Sequence, residues 1–149
     1  MSVSMVDISE KPTIFREATA EGKIKLKPQT IRLIKENKIE KGDVFTVSKI
    51  VAIQAAKNTS TILPLCHPIP ITHVNVEFKI ISETEILARV TVKTTAPTGV
   101  EMEALTAVSA ALLNIWDMVK KYEKDDKGQY PTTRIKEIRV IQKIKIGNK

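Results

Sequence analysis

Thr98-Gly-Val-Glu-Met-Glu-Ala-Leu-Thr-Ala-Val-Ser-Ala-Ala-Leu-Leu-Asn-Ile-Trp-Asp-Met-Val-Lys-Lys121 is the stretch on which the rest of the chain is organised. Pro97, Thr98 and Gly99 punctuate its start. Glu101 and Glu103 fall in the first turn and Lys120 and Lys121 in the last, where the helix dipole favours acids and bases respectively, so the spacing predicts one long helix. At about 100° per residue, Ala104, Val108, Ala111, Leu112, Ile115 and Val119 form an apolar stripe that faces a core. A second face carries Glu103, Thr106, Ala107, Ala110, Asn114 and Asp117, small side chains between two carboxylates. Two readings of that face stand open: a solvated surface with capping acids, or a seat for another backbone or a ligand. Glu103 and Asp117 lie about 21 Å apart along such a helix, too far for one small substrate to touch both. If both serve one site, the geometry that unites them is a two-fold dimer in which the helix meets its own copy antiparallel.

Outward from this helix, Leu63-Pro-Leu-Cys-His-Pro-Ile-Pro-Ile71 holds three prolines, which forbid a regular element and stiffen a loop presenting Cys66 and His67. Thr72 to Ile80 and Glu85 to Lys93 alternate with period two around Ser82-Glu-Thr84, the pattern of a β-hairpin. Pro28 opens a short helix through Lys38, Lys41-Gly42-Asp43 is a turn, and Asp43 caps a second, mostly buried helix to Lys57. Thr13 to Ala20 leans towards a strand, Tyr122 to Gln129 reads as a charged turn, and Ile135 to Ile141 is a last strand with a basic tail. Together these predict one α+β domain over residues 1–149, an antiparallel sheet with helices packed on one face, of ferredoxin-like type.

The chain has 149 residues, 42% hydrophobic and 28% charged, a balance that suits a globular domain with a real core. A net charge of +7 calls for an anionic partner: nucleic acid, a membrane surface or a phosphorylated small molecule. The hairpin offers Phe78 as its one aromatic residue and no RNP-like sequence, which argues against nucleic acid. No basic leader with an apolar run opens the chain and no run reaches 18 apolar residues, so the expectation is a cytoplasmic protein without a membrane partner. Cys66, the single cysteine, cannot form an internal disulfide, and with His67 and His73 it falls short of a tetrahedral zinc set, so no metal and no cofactor are expected. With neither a Walker A sequence nor a GxGxxG, a phosphate must be held by side chains such as Arg16, Lys41, Lys57 and Lys120, by backbone amides or by a helix N-terminus.

Met5-Val-Asp-Ile-Ser9, Lys41-Gly-Asp-Val-Phe45, Ile53-Gln-Ala-Ala-Lys57, Leu63-Pro-Leu-Cys-His-Pro68, Thr98-Gly-Val-Glu-Met-Glu-Ala-Leu-Thr-Ala107 and Trp116-Asp-Met-Val-Lys120 resemble the signature of the MoaC family of cyclic pyranopterin monophosphate synthases, which act in molybdenum cofactor biosynthesis. The resemblance spans Met5 to Lys120. It implies a lyase that acts on 3′,8-cyclo-7,8-dihydro-GTP, the product of a radical-SAM GTP cyclase, closing a cyclic phosphate with loss of pyrophosphate. It also implies a homohexamer built as a trimer of dimers with the active site at a dimer interface. By motif, Asp117, Lys120 and Lys41 are implied as catalytic, Leu65, Cys66, His67, Met102 and Glu103 as substrate contacts, and Glu101, Arg16 and Lys57 as lining the site. Two departures stand out: Ala96-Pro97 replaces the Gly-Lys that relatives often carry before Thr-Gly-Val-Glu-Met-Glu, and the segment from Lys121 onward is charged and lacks the Gly-rich tail of some relatives.

Overall fold

The structure, a computed structural model, describes residues 1–147, so the last two residues of the expected basic tail lie outside the described residues. The elements follow in the order β1 (Ile14–Lys25), α1 (Pro28–Lys35), α2 (Val44–Lys57), α3 (Thr59–Ile62), β2 (Ile71–Ile80), β3 (Glu85–Ala96), α4 (Glu101–Glu123) and β4 (Arg134–Ile146). The four strands form one sheet in the order β2-β3-β1-β4 with every neighbouring pair antiparallel, the split β-α-β arrangement of the ferredoxin-like type.

Alternation builds the sheet. In β1, Ile14, Ala18, Ala20 and Ile24 turn inward, and in β3 Ile86, Ala88, Val90 and Val92 do the same, so two central strands share one apolar face. Onto that face the predicted stripe of α4 is laid: Ala104, Val108, Ala111, Leu112, Ile115 and Val119 are all fully buried. Leu112 and Ile115 each contribute about 1.5–3 kcal/mol through the water they exclude. Gly22 of β1 lets the helix approach closely, because a Cβ there would stand 2.9 Å from Leu112 Cδ1 and from Ile138 Cγ1, closer than real side chains pack. By length and composition α4 could cross a membrane, yet half of its most apolar window is buried inside the fold, which explains its hydropathy as that of a core helix.

Several boundaries differ from the sequence expectation. Helix α1 stops at Lys35 because Asn37 takes a left-handed φ of 54° just beyond it. Helix α2 buries one face only, through Val44, Ser48, Ala52, Ala55 and Ala56, while Val47 and Ile50 are exposed; the expectation of a mostly buried helix is corrected. Helix α3 was not anticipated, as four residues carry too little periodicity to read. Helix α4 runs two residues past Lys121, and Glu123, expected in a charged turn, is fully buried. Its carboxylate accepts from the Lys27 amide at 3.0 Å and from the hydroxyls of Thr30 and Thr133, the latter at 2.6 Å, tying the end of α4 to the start of α1 and the approach to β4. Phe78 stacks on Phe45 of α2 with ring centroids 5.2 Å apart, so the hairpin's aromatic serves the helix-side packing rather than an open stacking platform.

Candidate active site

Helix α4 carries two carboxylate centres, one at each end. Near its C-terminus Asp117 and Lys120 are neighbours at i and i+3, with Lys120 Nζ 3.2 Å from Asp117 Oδ1. Lys41, from the connector between α1 and α2, reaches the same group: its Nζ donates to Asp117 Oδ2 at 3.1 Å and to the Asp117 carbonyl at 3.2 Å. Hydrogen bonds from Lys41 first, and from Lys120 second, hold the Asp117 carboxyl below its ordinary range. The three implied catalytic residues therefore meet as one cluster, beside a cavity of about 270 Å³.

The N-terminal end is built differently. Glu103 is 3% exposed, and its Oε1 is buried with no hydrogen-bond partner. Burial pushes its carboxyl above the ordinary range, and the neighbouring Glu101 charge adds to the effect. Cys66, set on the proline-stiffened loop by a turn in which its amide donates to the Leu63 carbonyl, places Sγ 4.0 Å from Glu103 Oε2. Burial, followed by the charges of Glu103 and Glu101, pushes the Cys66 thiol up, which makes it a weak nucleophile and favours the thiol over the thiolate.

Arg16 projects from β1 beneath the start of α4 and is 8% exposed. Its Nε donates to the Ala96 carbonyl at 2.9 Å and its Nη2 to the Pro97 carbonyl at 3.3 Å and the Pro12 carbonyl at 3.4 Å, so the guanidinium fixes the β3–α4 connector through neutral acceptors. Among the described residues it makes no ion pair, and it lines a cavity of about 400 Å³ together with Lys11, Glu17, Glu101, Lys143 and Lys145. Lys143 Nζ lies 2.9 Å from Glu101 Oε1. Next to this space, His67 Nε2 stands 2.7 Å from the Val6 carbonyl, and both line a cavity of about 480 Å³ that also involves Lys11 and Pro97.

The implied site residues thus divide. Lys41, Asp117 and Lys120 converge at one end of α4; Arg16 and Glu101 share one cavity at the other, and Cys66 touches Glu103. Leu65 and Met102 are exposed, and Lys57 stands exposed in the last turn of α2, tied by no hydrogen bond or ion pair to the rest among the described residues. Part of the small-residue face is filled within the chain: α2 packs on α4, Ala107 is fully buried, and Asn114 Nδ2 donates to Ser48 Oγ at 3.0 Å. Sequence reasoning passed over Lys11, Lys143 and Lys145. The alternation in Gln142-Lys-Ile-Lys-Ile146 was the available signal, since it puts both lysines on one face of a strand whose Lys145 pairs with Arg16. Among the described residues no three His, Cys, Asp or Glu side chains gather as a metal site would need.

Compared with known proteins, the chain matches the MoaC family over residues 5–146. A probable cyclic pyranopterin monophosphate synthase of Sulfurisphaera tokodaii is 60% identical over 141 residues, covering 95% of this chain and 93% of that protein. One of the same name from Pyrococcus furiosus is 56% identical over 143 residues, covering 96% and 91% respectively. A relative from Methanothermobacter thermautotrophicus, 58% identical over 144 residues and covering 97% and 90%, is named a probable cyclic pyranopterin monophosphate synthase accessory protein. With its motifs in order along a ferredoxin-like sheet and identity above one half across nearly its full length, the chain belongs to the MoaC family.

Proposed function

We propose that this protein is a cyclic pyranopterin monophosphate synthase, a lyase of molybdenum cofactor biosynthesis that converts 3′,8-cyclo-7,8-dihydro-GTP to cyclic pyranopterin monophosphate and pyrophosphate. The observation that carries the reading is the Asp117 carboxylate held between two lysine ammonium groups, Lys41 at 3.1 Å and Lys120 at 3.2 Å. Opening and reclosing a purine-derived ring moves protons in both directions, and a charged carboxylate within reach of two lysines supplies an acceptor and donors in one place. Glu103 complements them: burial holds its carboxyl above the ordinary range, and its buried Oε1, with no hydrogen-bond partner among the described residues, is left for a substrate atom. Arg16, with Lys11, Lys143 and Lys145 outweighing Glu17 and Glu101 around the same cavity, offers an excess of positive charge to a triphosphate and to the pyrophosphate that leaves. His67, steadied by the Val6 carbonyl, and Cys66, Leu65 and Met102 take the pterin-forming part of the substrate, and Lys57 is kept as a site residue on the family resemblance alone.

Because the two clusters occupy opposite ends of one helix, the reading places the complete site between two chains, with Glu103 of one subunit facing Asp117 of another. It takes the whole chain as one domain, working as a homohexamer made of three dimers in the cytoplasm, with a radical-SAM GTP cyclase as its supplier and with no nucleic-acid or membrane partner. The test is to incubate the purified protein with enzymatically prepared 3′,8-cyclo-7,8-dihydro-GTP and to follow pyrophosphate and the oxidised, fluorescent pterin. Turnover by the wild type and its loss in Lys41→Ala are expected; absence of both binding and turnover in the wild type would overturn the proposal.

A further inference from the structure

Lys41 lies on neither a helix nor a strand, yet its ammonium meets both the carboxylate and the backbone carbonyl of Asp117. An exposed lysine on a flexible stem gains little from an ion pair unless the backbone beneath it is already set. In the connector from Glu36 to Asp43 that setting is visible on both sides of Lys41. On the C-terminal side Gly42 takes a φ of 114° that suits glycine, and its amide closes a turn on the Ile39 carbonyl at 3.0 Å, with Ile39 itself buried. On the N-terminal side the amide of Glu40 donates to the Tyr122 hydroxyl at 2.9 Å. Tyr122 is a firm anchor, because its ring packs against the core from the last turns of α4, five residues beyond Asp117 on the same rigid helix. The Glu40 side chain also pairs with Lys121.

We propose that Tyr122 is a positioning residue: its hydroxyl holds the Glu40 amide and so sets the backbone from which Lys41 reaches Asp117. The inference rests on the reading of Lys41 and Asp117 as catalytic partners. Its chemistry is specific, since the hydroxyl is used as an acceptor and phenylalanine would keep the ring while removing only that acceptor. The groups facing Asp117 are Lys41 from the connector and Lys120 from α4, with Glu40, Lys121 and the Tyr122 hydroxyl around the same cavity.

The test compares wild type with Tyr122→Phe in two measurements. Steady-state turnover should show kcat lowered about threefold to tenfold, the size of one lost hydrogen bond, with KM changed by less than about twofold. Carbon-13 titration of the Asp117 carboxyl, which needs no substrate, should move to higher pH as Lys41 loosens. In a Lys41→Met background the same Tyr122→Phe change should leave the Asp117 titration where Lys41→Met alone puts it, because both substitutions act through one contact. An unchanged kcat together with an unchanged Asp117 titration would overturn the proposal, and so would a titration shift of equal size with Lys41 absent. Failure of the functional reading would appear in the wild type, as missing turnover, whereas failure of this inference appears only in the variants.

Discussion

Glu103 and Asp117 stand at opposite ends of one helix, and their surroundings push them in opposite directions. Asp117 is exposed, bracketed by Lys41 and Lys120, and held ionised; Glu103 is buried, has an unpartnered oxygen, and is held towards its neutral form. The sequence places glutamate in the first turn, under the sheet connector and the Cys66 loop, and aspartate one turn before a lysine. Environment rather than residue type therefore shifts two carboxyl groups on the same element in opposite directions. The two carboxylates stand about 21 Å apart along α4, so only a site shared between two chains could use both.

The largest break in this comparison is expected from Asp117→Asn, which keeps the shape and removes the charge shared by two lysines. Turnover should fall about 10²–10⁴-fold while the thermal midpoint stays near that of the wild type. Retention of more than a tenth of wild-type kcat would mean that Asp117 is not the proton-handling group. Next in size is Gly22→Ala. It presses on Leu112, Val108 and Ile138 where α4 rests on β1, and should cost about 1–3 kcal/mol in denaturant unfolding. A neutral result would mean that the helix is not seated at that point.

A smaller and opposite effect is expected from Glu103→Gln. A carboxyl raised by burial binds its proton more tightly in the folded chain than in the unfolded one. Wild-type stability therefore falls as pH rises from about 4.3, the ordinary glutamate value, through the higher folded value. The glutamine variant escapes that loss, so it should match the wild type near pH 4 and be the more stable of the two at pH 8. Denaturation curves at the two pH values check the sign. A variant less stable than the wild type at pH 8 would show that Glu103 is ionised and compensated.

The helix was legible because its apolar stripe repeats with the helical period over many turns, and the hairpin because alternation is an equally local signal. Asp117 and Lys120 were legible as an i, i+3 pair for the same reason. What sequence reading missed depends on partners far along the chain. Glu123 looked like part of a charged turn, because the groups that bury it come from Lys27 and Thr30, more than ninety residues earlier, and from Thr133. Lys143 and Lys145 looked like a solvated tail, because β4 becomes the neighbour of β1 only through the sheet order. The seating of α2 on the small-residue face was hidden likewise, since Ser48 and Asn114 are 66 residues apart. Lys41 was legible as a candidate phosphate holder by its charge, but its pairing with Asp117 came only from the family resemblance, as 76 residues separate the two.

The central claim, that the two ends of α4 complete each other across two chains, is tested most directly by subunit complementation. Asp117→Asn and Glu103→Gln chains, each expected to lose turnover when assayed alone, are unfolded together, refolded and assayed for pyrophosphate release. In a two-fold dimer of one chain of each kind, one site keeps both native carboxylates and the other has neither, so random mixing should restore about a quarter of wild-type activity. Activity that stays at the level of the separate variants, although mass spectrometry shows that mixed oligomers have formed, would contradict the account.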